Sequence, residues 1–261
     1  MTHTMQNKKL VVVVPVYRPF IEAHEAKSLE SLFRCFGQKY PVALVAPEGL
    51  DATAWTSRFA FDAVERFDDR FFEGIAGYNR LMTDAGFYAR FADYDYLLIC
   101  QSDVYVFFDG LDAFVQAGYD YVGAPWVSRH GVFGKMLAAV QWGVGRVFGP
   151  KHKLYRYQRL DRVGNGGFSL RRVQAFQRFC SDYRQQLSDD YTGENEDVIF
   201  ATLPRQFGCG WLYPTAEEAL GFAFDLNPQR LYQKSGGKLP MAAHAWHTAV
   251  NHPFWQRVAG L

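Results

Sequence analysis

Carboxylates, imidazoles and a glycine-flanked asparagine stand in this 261-residue chain where chemistry could use them. In QSDVYVF, Asp103 follows the apolar run DYDYLLIC of Asp93 to Cys100. A carboxylate delivered at the end of a buried strand is costly unless it is paired or bound to a metal; alone it reads as a turn cap or a solvated strand end. In SDDYTGENEDVIF, Asp189, Asp190, Glu194, Glu196 and Asp197 precede an apolar, helix-like run. Helix N-termini stabilise negative charge and account for some of these acids. The adjacent Glu196 and Asp197 could divide labour, one held by a cap or an acceptor hydroxyl and the other taking a proton. In RVGNGGFSLRR, three glycines surround Asn165, which itself tolerates a left-handed turn. That turn either offers backbone amides and Asn165 to a sugar or is simply one that only glycine makes. His244 and His247 in KLPMAAHAWHTA are three apart and share a face if the segment is helical; an imidazole in such aromatic company is otherwise a packed core residue.

Positioning these groups requires a sheet. Leu10 to Val14 is a continuous β-branched and leucine run, as in a central parallel strand covered on both faces, and Pro15 ends it. A helix over Ile21 to Phe36 and a strand over Val42 to Ala46 complete a βαβ unit. GIAGYNRLMTDAGFYARF carries apolar residues at helical spacing, Tyr94 to Cys100 is the next buried strand, and LDAFVQAG is a further helix before YDYVGAPW resumes extended structure. After the glycine turn, FSLRRVQAFQRF returns to a helical period. These elements predict one α/β domain over residues 8–261.

Several chemistries are excluded. Lys and Arg number 28 against 27 Asp and Glu, a formal charge of +1 that gives no electrostatic drive toward nucleic acid. RVGNGG lies far from the first βα turn and lacks G-x-G-x-x-G, and no P-loop, HExxH or G-x-S-x-G occurs. Cys35, Cys100, Cys180 and Cys209 form no CxxC pair and suit a reducing compartment. The opening MTHTMQNKK has no apolar leader, and LVVVVPV is too short to span a bilayer. Cytoplasmic placement is therefore expected. Residues 128–157 contain eight basic or imidazole side chains interleaved with aromatics and no acid. Such a stretch is most simply a solvated loop and helix; as a minority reading it is a basic surface making peripheral contact with the inner face of an anionic membrane.

In order, VVVVPVYRP, YLLICQSDVYVF, YDYVGAPW, VGNGGFSLRR, NEDVIF and AHAWH span Leu10 to His247. This series resembles a bacterial and fungal glycosyltransferase-like family, similar to GT-A galactosyltransferase-like enzymes. The resemblance implies a GT-A-like fold with a mostly parallel mixed central sheet flanked by helices. It also implies transfer of a sugar, by inversion, from a nucleoside-diphosphate sugar, with UDP favoured, to a glycan or lipid-linked acceptor. It places Pro15, Val16 and Tyr17 at the donor and makes Asp103 the remaining carboxylate of a D-x-D-like motif, read as Ser102-Asp103-Val104 or Asp103-Val104-Tyr105. His244 joins Asp103 on Mn2+ or Mg2+, a donor set that such ions accept together with phosphate oxygens. Arg171, or its neighbour Arg172, supplements the charge facing the diphosphate. Asn165, Gly166 and Gly167 face the acceptor with Glu196, and Asp197 is the preferred general base, ahead of Glu196. The competing classes are a nucleotide-sugar or glycan-binding module without turnover, an interaction protein, and nucleotidyl transfer.

Overall fold

The computed structural model describes residues 9–127 and 162–261, with a few positions between 136 and 147. The membrane or acceptor contact read from residues 128–157 lies outside the described residues but for those few.

Apolar side chains on both faces make β1 (Leu10–Pro15) a central strand, fully buried along its length. β2 (Val42–Pro47) lies parallel on one side of it and β4 (Tyr96–Cys100) parallel on the other, with Val12 in register with both Val42 and Leu98. β3 (Ala63–Phe67) adds outside β2, also parallel. Beyond β4 the sheet changes direction: β9 (Phe168–Arg172) runs antiparallel to β4, and β6 (Tyr121–Val122) antiparallel to β9. Among the described residues the order is β3-β2-β1-β4-β9-β6, a mostly parallel mixed sheet. A smaller sheet orders β10 (Ala223–Phe224), β11 (Ala242–Ala243) and β5 (Tyr105–Val106), and β7 (Ala124–Trp126) pairs with β8 (Arg162–Gly164).

The period-two alternation of each strand divides the core into two layers. Val12, Val14, Leu44 and Leu98 meet Leu29, Leu32 and Phe36 of the helix Ala23–Phe36. Val11, Val13, Leu97 and Ile99 meet Leu81 and Met82 of Gly74–Met82, Phe176 of Val173–Asp182 and Phe200 of Glu196–Gln206. Each fully buried Val, Leu or Phe contributes roughly 1.5–3 kcal/mol, so this two-sided burial fixes where the ends of β1 and β4 emerge.

Three sequence expectations are corrected. FSLRR is strand β9 rather than the start of a helix, because pairing with β4 overrides the helical spacing; the helix begins at Val173. GIAGYNRLMTDAGFYARF holds two helices, Gly74–Met82 and Ala85–Ala89, since the Asp84 carboxylate accepts the Gly86 N–H and caps a new start. AAHAWH is not helical either: after β11 the chain turns, so His244 and His247 share no helix face.

Candidate functional site

A cavity of about 610 Å³ opens where β1 and β4 end. One wall is aromatic and apolar, made by Tyr17 just past β1 and by Phe72, Ile75 and Tyr78 from the segment that leads into and forms the helix Gly74–Met82. Tyr17 meets Phe72 and Tyr78 edge-on at ring centroids of 5.8 and 6.2 Å. The Tyr78 hydroxyl is buried beside Gln101, with no hydrogen bond of good geometry among the described residues. The opposite wall is polar and carries Gln101, Asn165, Glu196, Asp197, Asp225 and His244. Volume and lining suit a small molecule with one flat apolar end and one charged end.

His244 organises the polar wall. It follows β11 and accepts no solvent-like freedom: its N–H donates to Phe224 O at 2.9 Å, and the next residue, Ala245, is held in the left-handed region at φ 50°. Thr248 Oγ1 and Asn251 Nδ2 both donate to Ala245 O and brace this strained link. Around the ring, Nε2 lies 3.2 Å from Gln101 Oε1 and 3.4 Å from Asp103 Oδ1, while Nδ1 lies 3.0 Å from Asp225 Oδ1. Burial alone would lower the imidazole pKa, but the carboxylates of Asp103 and Asp225 raise it to about 10. Burial pushes the Asp103 carboxyl up in turn, and the His244 charge outweighs this and holds it below the usual range.

These groups fit a divalent cation. Asp103 Oδ1 is buried, and among the described residues its near polar neighbour is His244 Nε2 at 3.4 Å, a contact without good hydrogen-bond geometry. Neighbouring ligand atoms on an octahedral ion with bonds of about 2.1 Å stand roughly 3 Å apart, close to the 3.2 and 3.4 Å that separate Nε2 from the two oxygens. Among the described residues no group of three His, Cys, Asp or Glu side chains is placed to hold a metal. A carboxylate, an imidazole and the Gln101 carbonyl would therefore share the ion with oxygens from a ligand. Ser102, between Gln101 and Asp103, turns away and donates to Glu25 Oε1 at 2.6 Å. Gln101 and Asp103 thus both lie against His244, with Ser102 between them directed to Glu25.

The glycine turn holds both halves of the wall. Asn165 adopts φ 82°, and its Oδ1 accepts the Gly167 N–H at 2.7 Å. A Cβ on Gly166 would lie 1.6 Å from Glu196 Oε1, and one on Gly167 would lie 2.4 Å from His244 Nε2. The glycines are needed because two functional side chains occupy the space a methyl would fill. Gly166→Ala is therefore expected to dislodge Glu196 and cost about 1–3 kcal/mol or more of stability, as overpacking does. Urea unfolding of the variant checks this.

Glu196 and Asp197 open the helix Glu196–Gln206 and have different surroundings. Asn79 Oδ1 accepts the Glu196 N–H at 3.2 Å and so ties this helix start to the apolar wall. The Glu196 carboxylate is sealed and accepts both N–H groups of Arg171 Nη2, at 3.2 and 3.1 Å. Burial lifts its pKa to about 7, with Arg171 opposing and Asp197 adding to the rise. Asp197 is half-buried in the wall, where the helix N-terminus favours negative charge.

Of the residues singled out by sequence, Tyr17, Asn165, Gly166, Gly167, Glu196, Asp197 and His244 line the cavity, and Asp103 touches His244. Pro15 and Val16 are buried and do not line it, so of those three only Tyr17 reaches the cavity. Arg171 is placed differently from its expected donor contact. It is completely buried beneath Glu196, with its guanidinium 5.4 Å from the rings of both Phe176 and Phe200. Arg172 likewise is engaged elsewhere, with Asp120 at 2.6 Å. Sequence reasoning missed Gln101, Asp225, Asn79 and the Phe72, Ile75, Tyr78 wall. Only Gln101 had a local signal, its i,i+2 spacing to Asp103.

No curated protein matches the chain in sequence. Among solved structures, an active-site mutant of LgtC is similar at 16% identity and TM-score 0.55, over 96% of this chain and 95% of that one. Mouse xyloside xylosyltransferase 1 in its apo form matches at 14% identity and TM-score 0.52, over 91% of this chain and 97% of that one. Core-mannan synthase A from Aspergillus fumigatus, in an Mn/GDP form, matches at 10% identity and TM-score 0.50, over 81% and 72%. These likenesses are of fold, and with the mixed sheet they make the architecture GT-A-like. Residues 62–244, well over half of the sequence, match the family described as "Protein of unknown function (DUF5672)", and the chain belongs to that family.

Proposed function

We propose that this protein transfers a glycosyl group, with inversion, from a nucleoside-diphosphate sugar to a hydroxyl of a glycan or lipid-linked acceptor. The observation that carries this reading is the convergence, at one cavity beyond the ends of parallel strands, of an apolar aromatic wall, the Gln101, Asp103 and His244 cluster and a half-buried carboxylate. Tyr17, Phe72 and Tyr78 suit the flat base of the donor. Gln101, Asp103 and His244 would hold Mn2+ or Mg2+, which when bound neutralises charge on the departing diphosphate. Asp197 takes the proton from the acceptor hydroxyl as its oxygen bonds to the anomeric carbon and the diphosphate leaves from the opposite face. Glu196, held by Arg171, fixes the helix start that presents Asp197 to the acceptor.

The acceptor class rests on residues 128–157, whose acid-free mixture of Lys, Arg, Trp and Tyr suits the phosphates and sugars of an anionic or lipid-linked glycan at the inner membrane surface. Mn and GDP are named for the Aspergillus neighbour, so GDP belongs beside UDP and CMP in the test. In a thermal-shift comparison, UDP with Mn2+ is expected to stabilise the protein most, because selective binding raises the melting point by mass action. Asp103→Asn is expected to lose the Mn2+-dependent part of that shift. Equal, negligible shifts with all nucleotides would remove the donor reading. Release of sugar from the donor, to acceptor or water, separates an enzyme from a binding module.

A further inference from the structure

Asp225 was not legible as a site residue, yet strand pairing puts it beside His244. β10 and β11 run parallel with Phe224 opposite Ala243, so Asp225 and His244 are the next residues along the two strands. The His244 N–H bond to Phe224 O at 2.9 Å carries the pairing to this point. The contact is therefore set by backbone register and not by a flexible loop.

The two neighbours of His244 Nδ1 make opposite demands. Asp225 Oδ1 at 3.0 Å requires a proton on Nδ1. Asn165 Nδ2 at 3.2 Å requires a lone pair there. The Asn165 amide cannot be turned round, because its Oδ1 already accepts the Gly167 N–H. A hydrogen bond to a carboxylate is roughly twice as strong as one between neutral groups, so Asp225 prevails. With the proton on Nδ1, the ring can offer the Nε2 lone pair to a cation shared with Gln101 and Asp103. With Nδ1 bare, its lone pair would oppose those of Asp225, and the proton on Nε2 would occupy the cation's place.

We infer that Asp225 is the positioning residue of the cation site, holding the proton on Nδ1 of His244 and so making Nε2 the ligand atom. This rests on the reading of Gln101, Asp103 and His244 as a divalent-cation site. Carboxylates that hold a ligating histidine in this way commonly contribute about 10–100-fold to metal affinity.

The test uses the full chain as wild type, Asp225→Ala and Asp225→Asn. Mn2+ is titrated in the presence of UDP, with free Mn2+ counted by electron paramagnetic resonance. Metal-free, 15N-histidine-labelled protein is examined by NMR for the His244 Nδ1 proton, assigned with His244→Gln. Asp225→Ala is expected to weaken Mn2+ binding by about 10–100-fold and to make the Nδ1 proton exchange faster, since its acceptor is gone. Asp225→Asn, which keeps an acceptor without charge, is expected to lose less. UDP affinity without metal is expected to fall by less than Mn2+ affinity in both, although Asp225 also lines the cavity. Wild-type Mn2+ affinity in Asp225→Ala, or an equally protected Nδ1 proton, would overturn the inference; so would a parallel loss of metal-free UDP binding. A wild-type protein that takes up no Mn2+ removes the cation reading itself, and the Nδ1 proton then still decides whether Asp225 holds the ring.

Discussion

Arg171→Met is expected to destabilise the protein by about 3–5 kcal/mol, the usual cost of removing one partner of a buried ion pair. All five guanidinium N–H groups have acceptors: Nε bonds Ser169 Oγ at 3.0 Å, Nη1 bonds Tyr88 Oη at 2.9 Å and Met82 Sδ at 3.3 Å, and Nη2 takes both oxygens of Glu196. Methionine fills much of the volume but leaves Glu196 buried and unpaired. The double variant Arg171→Met with Glu196→Leu removes the orphaned charge and is expected to recover most of the loss. The pH dependence has a definite sign. A carboxyl lifted from 4.5 to about 7 on folding contributes stability that is complete below pH 4.5 and lost as pH rises through about 7. Without Arg171 opposing the rise, that loss deepens, so the single variant should be worse at pH 8 than at pH 5. Denaturant unfolding at both pH values checks the pair. Equal losses at the two would show that packing, not charge, sets the penalty.

Asp197→Asn is expected to lower kcat by about 10²- to 10⁴-fold, the usual contribution of a general base, with donor affinity nearly unchanged. The reason lies in the division between neighbours: Glu196 is sealed against Arg171, whereas Asp197 is half-buried on the cavity wall. The neutral amide keeps the shape and the helix start but cannot take a proton. Calorimetry with UDP and Mn2+ beside a transfer assay separates ground-state binding from the chemical step. A variant that turns over at the wild-type rate would move the base elsewhere on the wall.

How much of this was legible varies with how local the cause is. The apolar run of β1 and the βαβ opening were readable because two-sided burial writes itself into consecutive residues. FSLRR was misread, since the same residues satisfy a helical period and a strand with Phe168 and Leu170 on one face and Ser169 and Arg171 on the other; only pairing with β4 decides. Glu196 and Asp197 announced themselves by adjacency, but nothing in NEDVIF shows which one a distant arginine will claim. Arg171 looked like a solvated or phosphate-binding cation because its partner lies 25 residues away. Asp225 had no signal, as its place comes from the register of two two-residue strands far apart in sequence.

The small sheet also bears on the order in which the protein is made. Asp103 leads into β5, which pairs antiparallel with β11, and His244 lies just past that pairing. During synthesis, domains emerge N-terminus first, so β1, β2 and β4 are available long before residue 244. Contacts that join such distant residues close large loops and form slowly. The aromatic wall can therefore assemble early, while Gln101 and Asp103 await an imidazole translated more than a hundred residues later, and the polar wall is complete only once the segment around His244 docks.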